Sequence, residues 1–258
     1  MSYPFRLLET GFHDCYYNMA LDEVLLESTS GGAAGALRFY GWDPPAVSVG
    51  YFQGLREEVD TDACKRRGFD LVRRISGGGA VLHKSELTYS VIMPLDHPLA
   101  KDDLGESYRL LCGGLLDGLK RLGVDAVFSG INDILAGGKK ISGSAQTRRM
   151  NCLLQHGTVI LDNDVDVMFE VLRVPEEKIK GKLIAEVKER VTSMKALLGK
   201  PLSFDTAVDA FTEGFKTALG MEFGALGAES FSVLAEEEEK ARLRAVEKFS
   251  RESWIYKR

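Results

Sequence analysis

No stretch of this sequence approaches the ~20 consecutive apolar residues that a membrane-spanning helix needs, so no membrane role is expected. The start, MSYPFRLLETGFHDCYYN, has acids and polar residues where a signal peptide needs an apolar run. Cysteine is scarce. Cys15, Cys64, Cys112 and Cys152 lie far apart, with no CxxC and no Cys/His cluster, which argues against a zinc site and a secreted disulfide framework. Charge of one sign is lacking as well: 33 Lys plus Arg stand against 38 Asp plus Glu, a net charge of -5. The global positive field of a dedicated nucleic-acid binder is therefore missing. Neither an internal repeat nor a β-α-β rhythm is visible, against a doubly wound sheet. With 45% hydrophobic and 28% charged residues, the composition is that of a soluble, cytoplasmic globular chain.

What is present is a strand-rich first half and a helical tail. Asn18–Glu27 has helical spacing, with Asn18 as N-cap. ALRFY (36–40) and AVSVGY (46–51) read as strands flanking the turn Gly41–Pro45, and a short helix is expected over Asp60–Arg67. DLVRR (70–74) and LTYSVIM (87–93) are further strands. Glu106–Leu122 is the clearest helix, with Tyr108, Leu111, Leu115 and Leu119 on one face. Short strands are expected near 126–128, 134–135, 140–142 and 158–161. Helices are expected over Val165–Leu172, Lys188–Leu198, Phe204–Leu219 and Leu234–Arg251. The acidic run Glu236–Glu239 reads as the solvated face of the last one. The fold class is α+β: a mixed or antiparallel sheet with packed helices and a helical C-terminal part. The chain, 1–258, is expected to be one catalytic domain, with a small helical subdomain from about residue 170 as an alternative.

Three stretches carry chemistry. In Arg73-Arg74-Ile75-Ser76-Gly77-Gly78-Gly79-Ala80-Val81-Leu82-His83, consecutive glycines expose backbone N–H groups and two arginines suit an anion. The spacing fits neither the Walker pattern nor GxGxxG. Asn132-Asp133-Ile134-Leu135-Ala136-Gly137-Gly138-Lys139-Lys140 reads as a hairpin, with one of the two lysines pointing inward beside Ser142, Gly143 and Ser144. In Gln155-His156-Gly157-Thr158, His156 is a base, a ligand contact or a satisfied structural histidine. Each stretch alone has a bland reading: a turn with surface arginines, two solvated lysines, a core histidine.

Together, RRISGGGAVLH, NDILAGGKKISGSAQ and QHGTVILD resemble, in order and spacing, the lipoate–protein ligase and octanoyltransferase family, related to biotin–protein ligases. NMALDE, LRFYGWDPPAVSVGYFQ, ELTYSVI, ERVTSMKAL and ESWIYKR extend the resemblance over essentially the whole chain. It implies a biotin/lipoyl ligase-like catalytic domain in which Lys140 is the essential lysine. Arg74, Gly77, Gly78, Gly79, Ala80, Val81, Leu82, His83, Asn132 and Asp133 would bind ATP and the acyl-adenylate, with Asp133 on the Mg²⁺ side. Arg73, Ser76, Ser142, Gly143, His156 and Gly157 would line the lipoyl or acyl pocket.

The resemblance implies an ATP- and Mg²⁺-dependent ligase that converts lipoate or octanoate to acyl-AMP and acylates a lysine of a lipoyl carrier domain. Three departures bear on this. Lys84 stands where the ligases usually have Asp after the motif histidine. The C-terminal accessory domain of many ligases is missing, so a separate accessory subunit is expected. The transferase branch uses a cysteine before the lysine hairpin or after the HG strand, and neither Val124–Leu135 nor Asp162–Lys182 has one, with Cys152 at neither place. The missing thiol favours the ligase over the alternative, an ATP-independent octanoyl or lipoyl transferase between carrier proteins. A non-catalytic lipoyl-domain binder and a biotin transferase rank below both. Arg148 and Arg149 are candidates for a basic rim that meets an acidic carrier.

Overall fold

The computed structural model describes residues 5–173, 185–186, 188–224, 227 and 231–258. Its strands are β1 (Phe5–His13), β2 (Gly35–Trp42), β3 (Ala46–Val49), β4 (Asp70–Arg73), β5 (Val81–His83), β6 (Glu86–Pro94), β7 (Ala126–Ser129), β8 (Asp133–Ala136), β9 (Lys139–Arg149) and β10 (Cys152–Ile160). Seven form one mixed sheet, in the order β1-β2-β6-β10-β9-β8-β7, and three form a second, β4-β3-β5. The helices are α1 (Cys15–Ser30), α2 (Leu55–Glu58), α3 (Thr61–Arg67), α4 (Leu104–Arg121), α5 (Val165–Val171), α6 (Met194–Leu198), α7 (Phe204–Leu219), α8 (Ala235–Arg244) and α9 (Glu252–Ile255). This is the expected α+β class.

Strand period 2 divides the large sheet between two cores. Along β6, Leu87, Tyr89, Val91 and Met93 join Leu111, Leu115, Leu119, Phe211 and Phe215 of α4 and α7. Ile92 faces the other way, into the core built from Leu21, Val24 and Leu25 of α1 and Ala241 of α8. Glycines let α4 and α7 approach closely. A Cβ on Gly118 would sit 2.3 Å from Phe211, and one on Gly214 would sit 2.3 Å from the carbonyl oxygen of Gly114.

Several expectations are corrected by this packing. Asp14, not Asn18, caps α1, its carboxylate accepting from the Tyr17 N–H. Asn18 is fully buried, and its amide donates to the carbonyls of His13 and Gly41. The short strands expected at 140–142 and 158–161 are the outer ends of two long paired strands, Lys139–Arg149 and Cys152–Ile160, whose hairpin turn places Met150 and Asn151 at φ of 53° and 57°. The helix expected over Lys188–Leu198 is interrupted: Val191 bridges to Lys140, and helix resumes at Met194 under a Ser193 cap. Glu237, expected on a solvated face, is completely buried. It forms a two-pronged ion pair with Arg6 at 2.7 and 2.9 Å and also accepts from the Leu234 N–H.

Candidate active site

The second sheet stands against the middle of the large one, and a cavity of about 380 Å³ opens between them. Met19, Tyr40, Trp42, Leu82, Ile160, Val165, Met168, Leu172 and Val191 give it an apolar wall. Ser48, Arg74, His83, Asn132, Lys140 and His156 supply the polar groups. An apolar slot with a few convergent polar groups is the usual form of a small-ligand site.

The glycine loop is held by its own arginine. Arg74 is 6% exposed. Its guanidinium donates to the carbonyls of Gly77 at 2.9 Å and Gly79 at 2.6 Å, and to the Ser48 hydroxyl at 3.0 Å. Burial, without a carboxylate partner, lowers its pKa to about 10. Gly50 is required beneath this loop, since a Cβ there would lie 2.1 Å from the carbonyl oxygen of Gly78.

Lys140 follows the β8–β9 turn, where Gly137 and Gly138 take φ of 56° and 76°, as a tight hairpin requires. Its ammonium pairs with Asp133 Oδ1 at 2.7 Å and packs over Gly143, where a Cβ would lie 3.0 Å from Lys140 Nζ. Lys139, its neighbour, is exposed. The alternation expected from the sequence therefore selects Lys140 as the lysine in the cavity.

Two histidine networks flank the cavity. His156 Nδ1 lies 3.0 Å from Asp22 Oδ2, and its Nε2 lies 2.5 Å from the Ser76 hydroxyl. Asp22 is buried and also accepts from Arg38, Ser90 and Tyr40. Desolvation alone would raise its pKa, but the His156, Arg38 and Ser90 contacts together hold it below the usual carboxylate range. His83 stacks on Trp42 at 3.8 Å, with Nδ1 2.8 Å from Glu86 and Nε2 2.8 Å from Ser48. Burial lowers the His83 pKa against the opposing pull of Glu86. A carboxylate only accepts, so in both networks Nδ1 carries a proton; the buried His83 ring, held neutral, offers its Nε2 to the Ser48 hydroxyl.

Of the residues expected in the site, Arg74, Gly78, Gly79, Ala80, Val81, Leu82, His83, Asn132, Lys140, Gly143, His156 and Gly157 line this cavity. Arg73, Ser76, Gly77, Asp133 and Ser142 lie behind or beside it. Arg73, expected at the acyl pocket, is fully buried and donates to the carbonyls of Gly50, Gln53, Trp254 and Ile255. Asp133, expected near Mg²⁺, is taken by Lys140. Among the described residues no group of three or more His, Cys, Asp or Glu is placed to hold a metal ion. Lys84 pairs with Asp164, the N-cap of α5, at 2.9 Å. Ser48, Glu86 and Asp22 join the site through the histidine networks, outside the three chemical stretches. Asp22 lies within NMALDE, the one signal that pointed toward it.

None of the four cysteines lines the cavity. All are buried, and burial pushes Cys64 and Cys112 up to about 11. Among the described residues no helix is long and apolar enough to cross a membrane.

Residues 14–216 match the model of the lipoyl protein ligase A/B catalytic domain. The chain belongs to that family. Octanoyltransferase LipM of Kyrpidia tusciae is 37% identical over 276 residues, covering 98% of each chain. LipM of Staphylococcus aureus is 36% identical over 282 residues, covering 100% of each. Among solved structures, the bi-partite lipoate protein ligase of Thermoplasma acidophilum superposes with a TM-score of 0.87 at 32% identity, covering 98% of this chain and 96% of that one. Lipoate-protein ligase A bound with ATP gives 0.82 at 31%, covering 99% of each.

These relatives confirm the family and fold expected from the motifs, and they correct the expected activity. The ATP-dependent ligase reading is overturned by whole-length relatives at 32–38% identity that are named octanoyltransferases. The lack of a cysteine in the cavity does not exclude transfer between carriers. An amine can attack a thioester directly where the oxyanion is stabilised, and this requires no enzyme nucleophile.

Proposed function

We propose that this protein transfers an octanoyl group, or its lipoyl counterpart, from the thioester of one carrier protein to a lysine amine of a lipoyl carrier domain, without a nucleotide. The observation that carries this reading is the end-to-end similarity to proteins named octanoyltransferase LipM. The Thermoplasma neighbour, named together with its E2 lipoyl domain, supports a lipoyl domain as acceptor.

The acyl chain lies along the apolar wall formed by Met19, Trp42, Leu82 and Val191, with the thioester carbonyl at the Lys140 ammonium. The lysine amine of the acceptor attacks the carbonyl carbon and a C–N bond forms. Negative charge develops on the carbonyl oxygen, where Lys140 and the Asn132 amide stabilise it. His156 Nε2, oriented by Asp22, takes the amine proton. The C–S bond then breaks and the proton passes to the departing thiolate. No cysteine takes part.

The test is intact mass of an unmodified lipoyl carrier incubated with octanoyl-carrier thioester and enzyme, with nucleotide withheld. An octanoyl-sized gain that disappears in Lys140→Ala is expected. A gain that appears only with free acid and ATP overturns the reading.

A further inference from the structure

On the far side of the Gly77–Gly79 loop, Phe52 stands 67% exposed, edge-on to Tyr51 at 5.0 Å. Cations surround this pair. Arg149 lies over the Tyr51 ring at 4.8 Å, Lys257 Nζ donates to the Tyr51 hydroxyl at 2.8 Å, and Arg258 lies over Phe52 at 5.4 Å. Beneath them is the buried Arg73 guanidinium, whose partners are all carbonyls, and beside it is Arg74. None of these five cations has a carboxylate partner among the described residues, although the chain as a whole carries a net charge of -5. Elsewhere buried and half-buried cations are paired: Arg6 with Glu237, Arg38 with Asp22, and Arg244 with Glu23 and Glu27. Three surface cations, Arg149, Lys257 and Arg258, thus converge on one exposed aromatic pair of an acidic protein. Phe52 lies about 4 Å from where a Cβ on Gly77 would sit, so this face adjoins the loop that walls the cavity.

We propose that this face, with Phe52 at its centre and Arg149, Lys257 and Arg258 around it, docks the acidic surface of the acyl-accepting carrier domain. The identity of that partner rests on the transfer reading above. Unpaired cations favour an acidic partner and steer its approach, while an exposed aromatic ring gives an anchor that loses water on contact. Arg148, the other half of the expected rim, alternates to the opposite side of β9, where its guanidinium donates to the carbonyls of Lys101 and Asp102, while Arg149 lies over the Tyr51 ring on the proposed face.

Binding of the unacylated acceptor domain, measured by calorimetry without any acyl donor, tests the docking separately from the chemistry. For wild type, Kd is expected to rise steeply with NaCl. Arg149→Glu/Lys257→Glu is expected to weaken binding ~10-fold or more at low salt and to flatten that dependence. Phe52→Ser, at an exposed position that leaves folding intact, should weaken it with the salt dependence retained. In the transfer assay the double variant should raise KM for the acceptor and leave kcat unchanged. Wild-type affinity in both variants overturns the docking and leaves the transfer reading standing, as does a KM change confined to the acyl donor. Acylation that occurs only with ATP overturns the transfer reading, while a charge-dependent Kd still upholds the docking.

Discussion

The Lys140 ammonium reaches back across the β8–β9 hairpin to Asp133 at 2.7 Å, over a glycine at position 143 that leaves room for it. Both partners are partly exposed, so the pair contributes little to stability. Its value is to aim a cation that is otherwise free to rotate. Lys140→Ala is expected to lower acyl transfer ~10²–10³-fold, the usual loss when an oxyanion-stabilising group is removed. The thermal midpoint should not move. Equal losses in kcat and stability would place Lys140 in the structure rather than in the chemistry.

Gly50→Ala offers a second probe of the site. The added Cβ would meet the carbonyl oxygen of Gly78 at 2.1 Å, so the glycine loop must shift. A displacement of about 1 Å at a positioning loop costs on the order of 10²-fold in rate. Single-turnover kinetics should show that loss, with Lys140 and both histidines unchanged in sequence.

Cys152 and Cys112 lie in the cores and outside the cavity. Cys152→Ala and Cys112→Ala are each expected to retain the wild-type transfer rate and to form no acyl-enzyme adduct detectable by mass. A thioester on either residue, formed at the rate of turnover, would refute direct attack by the acceptor amine.

Away from the site, Glu237→Ala strands the Arg6 guanidinium in the interior. Breaking a buried pair in this way costs about 3–5 kcal/mol. Chemical denaturation should show this loss, and the double change Arg6→Met/Glu237→Leu should recover most of it.

Acidification should also destabilise the fold. Burial lowers the pKa of His13, His83 and His97 below the ordinary value of 6.5. Below pH 6.5 the unfolded chain takes up protons that the native state resists. The associated stability is present above that pH and is lost as pH falls toward the folded pKa values. Melting curves between pH 7.5 and 5.5 should show a falling midpoint, with a shallower fall in His83→Gln.

The parts legible in the sequence are those where side chains follow the backbone period. Leu111, Leu115 and Leu119 gave α4, and the alternation of LTYSVIM gave β6. Less legible were β9 and β10, because Gly143, Ser144, Gln146, Gln155 and His156 are polar or small where a buried strand is ordinarily apolar. Those residues face the cavity or bond to one another, as Gln146 does with Gln155 at 2.6 Å. Arg6, Arg38, Arg73 and Glu237 have the composition of surface residues, and only tertiary pairing reveals them as interior. The three chemical motifs were legible as motifs. Strand alternation puts Arg73 and Arg74 on opposite faces, but which of them meets the C-terminal segment and which the cavity is decided by tertiary packing.

The Arg73 guanidinium closes on the carbonyls of Trp254 and Ile255, some 181 residues along the chain, and the Trp254 indole N–H donates back to the Arg73 carbonyl. Without that segment the arginine would keep only the carbonyls of Gly50, Tyr51 and Gln53 on its other side. The strand that leads into the glycine loop is thereby tied to a helix remote in sequence, so a change at either end is felt at the other.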